Sequence, residues 1–137
     1  YGDGPDKVSL ENYCIKKGIN NVVFKGHIDK NNIPYILGKS SLNILNYMQA
    51  NIVIKYGGSQ NKLFEYLASG KPILSTIKMN YGIIEKYSCG FSSDTQDPID
   101  IAEGILKFYN MPKEEYDTYC QKDPLLTHSL RRISLLC

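Results

Sequence analysis

Short apolar runs of strand character alternate along the chain with longer stretches whose apolar residues recur every three or four positions. Tyr1-Gly2 reads as the end of a strand. Gly4-Pro5 opens a helix with Pro at its first position; Leu10, Tyr13 and Cys14 share one face, and Gly18 ends it. Val22-Val23-Phe24 is β-branched and aromatic, as strands prefer, and Lys25-Gly26 closes it. Asp29 or Asn32 caps a short helix with Pro34 near its start and Ile33, Ile36 and Leu37 on its apolar side. Leu42 to Leu45 is a buried strand. A long irregular connection, 46–60, follows, with Ile52-Val53-Ile54 as a small strand or apolar plug inside it.

A helix over 61–69 places Leu63, Phe64, Leu67 and Ala68 inward and stops at Ser69-Gly70. Pro72 to Thr76 is the next strand, 81–87 a helix with Ile83, Ile84 and Tyr87 inward, and Cys89-Gly90-Phe91 a short strand. Asp97-Pro98 starts a helix carrying Ile101, Ala102, Ile105, Leu106 and Tyr109, and Met111-Pro112 opens a last one with Glu114 and Glu115 in its first turn. This alternation predicts an α/β fold, a Rossmann-like doubly wound parallel sheet covered by helices on both faces. In such sheets ligands bind beyond the carboxyl ends of the strands, which singles out the loops after Tyr1, Phe24, Leu45 and Thr76.

Composition narrows the class. With 137 residues, 42% apolar and 22% charged, the chain has the make-up of one globular domain. A net charge of +2 without a clustered basic run argues against a nucleic-acid partner. Cys14, Cys89, Cys120 and Cys137 never form a C-x-x-C pair, so thiols in a reducing cytosol are expected rather than a metal site or disulfides. No apolar run approaches the roughly 20 residues that span a bilayer. The abrupt opening, without Met, reads as an excerpt of a longer chain.

Candidate chemistry concentrates between Tyr56 and Ile73. A glycine-led loop, Tyr56-Gly57-Gly58-Ser59, runs through Gln60 into the 61–69 helix, whose first turn leaves backbone N–H groups without intrahelical partners. A pyrophosphate accepts such groups, and Lys62 adds charge. Glu65 lies four residues after Asn61, on the same side of the helix, and a carboxylate there can accept two hydrogen bonds from the vicinal diol of a ribose. The plainer reading makes Ser59 a helix cap and Glu65 a solvated acid. Gly26-His27-Ile28 follows a strand end, where its backbone suits a planar base; His27 itself reads more simply as an exposed loop residue. Gly2-Asp3-Gly4 resembles the opening of a dinucleotide fingerprint, but Lys7 stands where the third glycine belongs.

Taken together, Gly2-Asp3-Gly4-Pro5, Asn21 to Ile28, Ser59 to Ile73, Ile83 to Tyr87 and Cys89-Gly90-Phe91 resemble the C-terminal, donor-binding half of a GT-B glycosyltransferase, of the family 4 retaining type found in bacterial surface-polysaccharide synthesis. The likeness covers residues 1 to about 121, the incomplete donor domain, and leaves 122–137 an unassigned tail. The run Asn61 to Pro72 carries its specificity. The resemblance implies a nucleotide-sugar donor, most often a UDP-sugar, with Glu65 on the ribose. Gly58, Ser59, Gln60, Asn61 and Lys62 then lie along the pyrophosphate and sugar, and Gly26, His27 and Ile28 beside the base. No cofactor and no metal are implied. The partners would be a saccharide or lipid-linked acceptor and an N-terminal acceptor domain, in the cytoplasm or at the inner face of the membrane.

The chain also departs from the family pattern. The acid expected eight positions before Glu65 is replaced by Gly57, so no carboxylate reaches the sugar from there. The usual first strand and helix of the domain are not found ahead of Tyr1, and without that central strand the remaining strands are not expected to form one continuous sheet in the doubly wound order 3-2-1-4-5-6. The piece alone is therefore expected to be inactive. Two alternatives stand beside transfer: a non-catalytic nucleotide-sugar-binding remnant, and a GT-B-fold UDP-sugar epimerase.

Overall fold

The computed structural model describes residues 1–47, 61–78, 82–93 and 95–119. The expected strand or plug at Ile52-Val53-Ile54 and the tail 122–137 lie outside the described residues. The chain divides into two compact units, Tyr1–Ile33 and Pro34–Cys137.

In the first unit α1 spans Lys7–Lys17, starting two residues later than Pro5 suggests. Asp6 precedes it without a side-chain cap. The helix ends at Gly18 in the left-handed conformation (φ 67°), its N–H on the Ile15 carbonyl at 3.1 Å and that of Ile19 on Cys14 at 2.9 Å. This is a Schellman ending, for which glycine carries no Cβ penalty. No residue of α1 is buried within the chain, and Leu10 and Tyr13, expected inward, are half-exposed or more. The strand expected at Val22 to Phe24 does not form. Its link to the start of the chain is one backbone bond, Gly2 N–H to the Gly26 carbonyl at 2.7 Å. β-Branched residues stabilise a strand when a ladder and a covering face are present; here Val22 and Val23 stay exposed. The Asp29 carboxylate accepts from the Asn31 N–H at 2.8 Å and caps a 3₁₀ turn, Lys30–Asn32, which leads into α2, Ile33–Lys39.

The second unit holds a parallel sheet of three strands, β1 (Asn43–Leu45), β2 (Ile73–Ser75) and β3 (Gly90–Ser92), in sequential order. The register pairs Asn43 with Ile73 and Ile73 with Gly90. Successive residues of a strand point to opposite faces, so the contacts sort the helices. Leu45 and Ile73 pack with Leu63 and Leu67 of α3 (Asn61–Ser69) and with Ile84 of α4 (Ile83–Lys86). On the opposite face, Leu74 lies against Gly104 of α5 (Pro98–Tyr109). Phe91, on that same face, stacks on Phe108 of α5 at 4.9 Å and on Tyr119 of α6 (Lys113–Tyr119) at 5.2 Å. Helices thus cover both faces of a parallel sheet, the α/β arrangement that the sequence pattern predicts.

Three details differ from the pattern. Ala68 is exposed, because the α3 seam enters the core through Leu63 and Leu67, with Phe64 and Tyr66 partly buried beside them. Tyr87 lies outside α4 and is exposed, since that helix stops at Lys86. α5 buries Phe108 and half-buries Ile101 and Gly104, while Ala102, Ile105, Leu106 and Tyr109 face outward. The contact is made where Gly104 lets the helix approach Leu74, which rotates the buried stripe away from the most apolar side.

Candidate functional site

The sheet's carboxyl edge, where β1, β2 and β3 end at Leu45, Ser75 and Ser92, is the place the fold offers a ligand. α3 packs against β1 through Leu63 and Leu67, four residues apart on one side. That seam fixes the direction of the rest of the helix. Lys62 is exposed and Glu65 half-buried, and neither has a hydrogen-bond or ion-pair partner among the described residues. The first turn of α3 carries no acid that would offset the positive end of its dipole. The helix stops where Gly70 turns left-handed (φ 65°) and Ser69 saturates its hydroxyl. That hydroxyl donates to the Tyr66 carbonyl at 2.6 Å and accepts from Asn43 Nδ2 at 3.1 Å and the Lys71 N–H at 3.2 Å.

Beside Glu65, the Tyr66 phenol holds its proton more tightly than an ordinary tyrosine, first through burial and second through the Glu65 charge. Its hydroxyl reaches the Ile44 carbonyl at 3.5 Å, a long contact. α3 brings Glu65 and Lys62 onto one element. Gly58, Ser59 and Gln60, and the side chain of Asn61, lie outside the described residues.

The other candidates belong to the first unit. Gly26 has φ +70° with open space around its α-carbon, and its carbonyl accepts from Gly2. His27 is exposed and Ile28 half-buried. Among the described residues no group of three or more His, Cys, Asp and Glu is placed to hold a metal ion. None of their helices is long and apolar enough to cross a membrane.

Sequence reasoning passed over a polar cluster at the carboxyl edge. Thr76, 2% exposed, donates its hydroxyl proton to Asn46 Oδ1 at 2.9 Å. Thr76 Oγ1 itself accepts from the Tyr47 N–H at 3.3 Å and from Gln96 Nε2 at 3.4 Å. Gln96 Nε2 also donates to the Tyr47 carbonyl. The nearest signal in the sequence was Thr76 closing an apolar strand; Gln96 sits in a polar stretch with no marker of its own.

The sequence profile of the family described as Glycosyl transferases group 1 matches residues 1–111, which takes in α1 through α5 and every described strand. The chain belongs to this family, and glycosyl transfer is the chemistry to which it is assigned. Among curated proteins none matches the chain.

Proposed function

We propose that the chain is the donor-binding part of a retaining hexosyltransferase that takes a UDP-sugar. The sugar passes to a saccharide or lipid-linked acceptor in bacterial cell-surface polysaccharide synthesis, capsule or lipopolysaccharide. The enzyme works in the cytoplasm, at or near the inner face of the membrane. The observation that carries this is Glu65: a half-buried carboxylate without a protein partner among the described residues, one turn into a helix packed on β1, within the family match.

A carboxylate so placed accepts both hydroxyls of a ribose diol. The nucleoside diphosphate then lies toward the first turn of α3 and Lys62. Transfer breaks the bond between the anomeric carbon and the diphosphate oxygen and forms one to the acceptor oxygen, whose proton passes to the departing diphosphate. The departing diphosphate gathers charge, and its stabilisation by a helix dipole and a lysine is worth most where water is excluded. By the family resemblance alone, Gly26, His27 and Ile28 are assigned to the base, and Gly58, Ser59, Gln60 and Asn61 to the diphosphate and sugar. The donor is a substrate, and neither cofactor nor metal takes part in this scheme.

A nucleotide screen by thermal shift on the intact protein tests the reading. UDP and UDP-sugars at about 100-fold over Kd are expected to contribute roughly 2.7 kcal/mol to stability, a rise of several degrees in Tm. GDP and ADP are expected to do less. No stabilisation by any nucleoside diphosphate would remove the donor assignment.

A further inference from the structure

Backbone pairing between β1 and β2 ends with the Thr76 N–H on the Leu45 carbonyl at 3.0 Å. Beyond it, side chains satisfy both polar groups of Tyr47. Its N–H donates to Thr76 Oγ1 at 3.3 Å, and its carbonyl accepts from Gln96 Nε2. Gln96 arrives from the connection after β3, 49 positions along the chain. One amide group therefore joins the exits of all three strands: it holds β1 at Tyr47, touches Thr76 just past β2, and belongs to the segment following β3.

We propose that Thr76 and Gln96 are positioning residues, a side-chain rung that extends the ladder past β1 and fixes the path of the chain along the donor edge. The Thr76 hydroxyl is saturated, with one bond given and two accepted, and both amide protons of Gln96 are used. A 2%-exposed site would ordinarily favour an apolar residue for stability alone. A buried hydroxyl whose donor and acceptor capacity is all used instead selects one geometry over its neighbours. A rung made of side chains can be removed without changing a single strand residue, which separates its effect from that of the sheet. The rung stands on the geometry alone; its effect on the donor rests on the nucleotide-sugar reading above.

The test uses three variants of the intact protein, UDP as the calorimetric probe, and amide exchange at Tyr47. Thr76→Val removes the hydroxyl at nearly constant volume, and Thr76→Ser keeps the hydroxyl while losing a methyl. Gln96→Ala removes the amide from a half-buried site, so it remains informative if Thr76→Val does not fold. Thr76→Val and Gln96→Ala are each expected to weaken UDP binding about threefold to tenfold, the equivalent of one lost neutral hydrogen bond. Both are expected to lose exchange protection at Tyr47, with Thr76→Ser matching wild type in both readouts. The opposite order, with Thr76→Val unchanged and Thr76→Ser impaired, makes Thr76 a packing residue and overturns the proposal. So does wild-type UDP affinity in both Thr76→Val and Gln96→Ala. If wild type binds no UDP, GDP or ADP, the donor reading fails instead. Exchange at Tyr47 then decides the rung alone, and unchanged protection in the two variants overturns it.

Discussion

Glu65 and Tyr66 are neighbours on α3, and the charge of one alters the proton of the other. Burial and then Glu65 raise the Tyr66 pKa. A raised pKa means that the folded state holds the phenol proton more tightly than the unfolded chain does. The stability this contributes is fully present below about pH 10, the ordinary tyrosine value, and is lost as pH rises through the raised one. Tyr66→Phe is therefore expected to flatten the alkaline fall of Tm above about pH 10 while changing little at pH 7, where only the long contact to Ile44 is lost. Tm measured from pH 8 to 11.5 in both proteins checks this; identical alkaline slopes would refute it. Glu65→Gln should leave most of the slope, because burial is the larger cause.

The same scale shows what the sequence could convey. Glu65 stood out because a carboxylate one turn into an amphipathic helix is visible as a pattern. Gln96 did not, because its role depends on meeting Tyr47 and Thr76 across the sheet edge, and no local spacing records that meeting.

Among the elements, β2 and β3 approach more closely than an ordinary side chain allows. A Cβ on Gly90 would lie 1.8 Å from the Ile73 carbonyl oxygen, and Gly90 itself has φ +156°. Neither backbone can yield without breaking the pairing of Ile73 with Gly90. Gly90→Ala is expected to cost about 3 kcal/mol or more, at the severe end for a single methyl. Urea unfolding measures it, and a loss below about 1 kcal/mol would show that the strands move apart freely. At Gly104 the obstacle is softer, a Leu74 methyl at 2.9 Å. That glycine also explains why Ile105, Leu106 and Tyr109 stay exposed although they are the apolar residues of the pattern: the helix touches the sheet where it is thinnest. Element type was readable for α1 to α6 and for the three strands, because Pro, Gly and Asp mark their ends. Strand character at Val22 to Phe24 was overridden, since propensity does not supply a neighbouring strand.

At the scale of the whole molecule, the order of the motifs proved the most informative property of the sequence. Apart from the specific run Asn61 to Pro72, each piece is weak alone, yet their succession agrees with a family match running from residue 1 to 111. The parallel sheet and helices on both its faces follow from that succession and from the buried contacts of Leu45, Ile73 and Leu74. The central claim is that Glu65 reads the ribose of a nucleoside diphosphate. Calorimetric titration of the intact protein with UDP, comparing wild type with Glu65→Ala, tests it most directly. Loss of charge-assisted hydrogen bonds to a diol is expected to weaken binding by about tenfold or more with Tm nearly unchanged. Equal UDP affinity in the two proteins would contradict it.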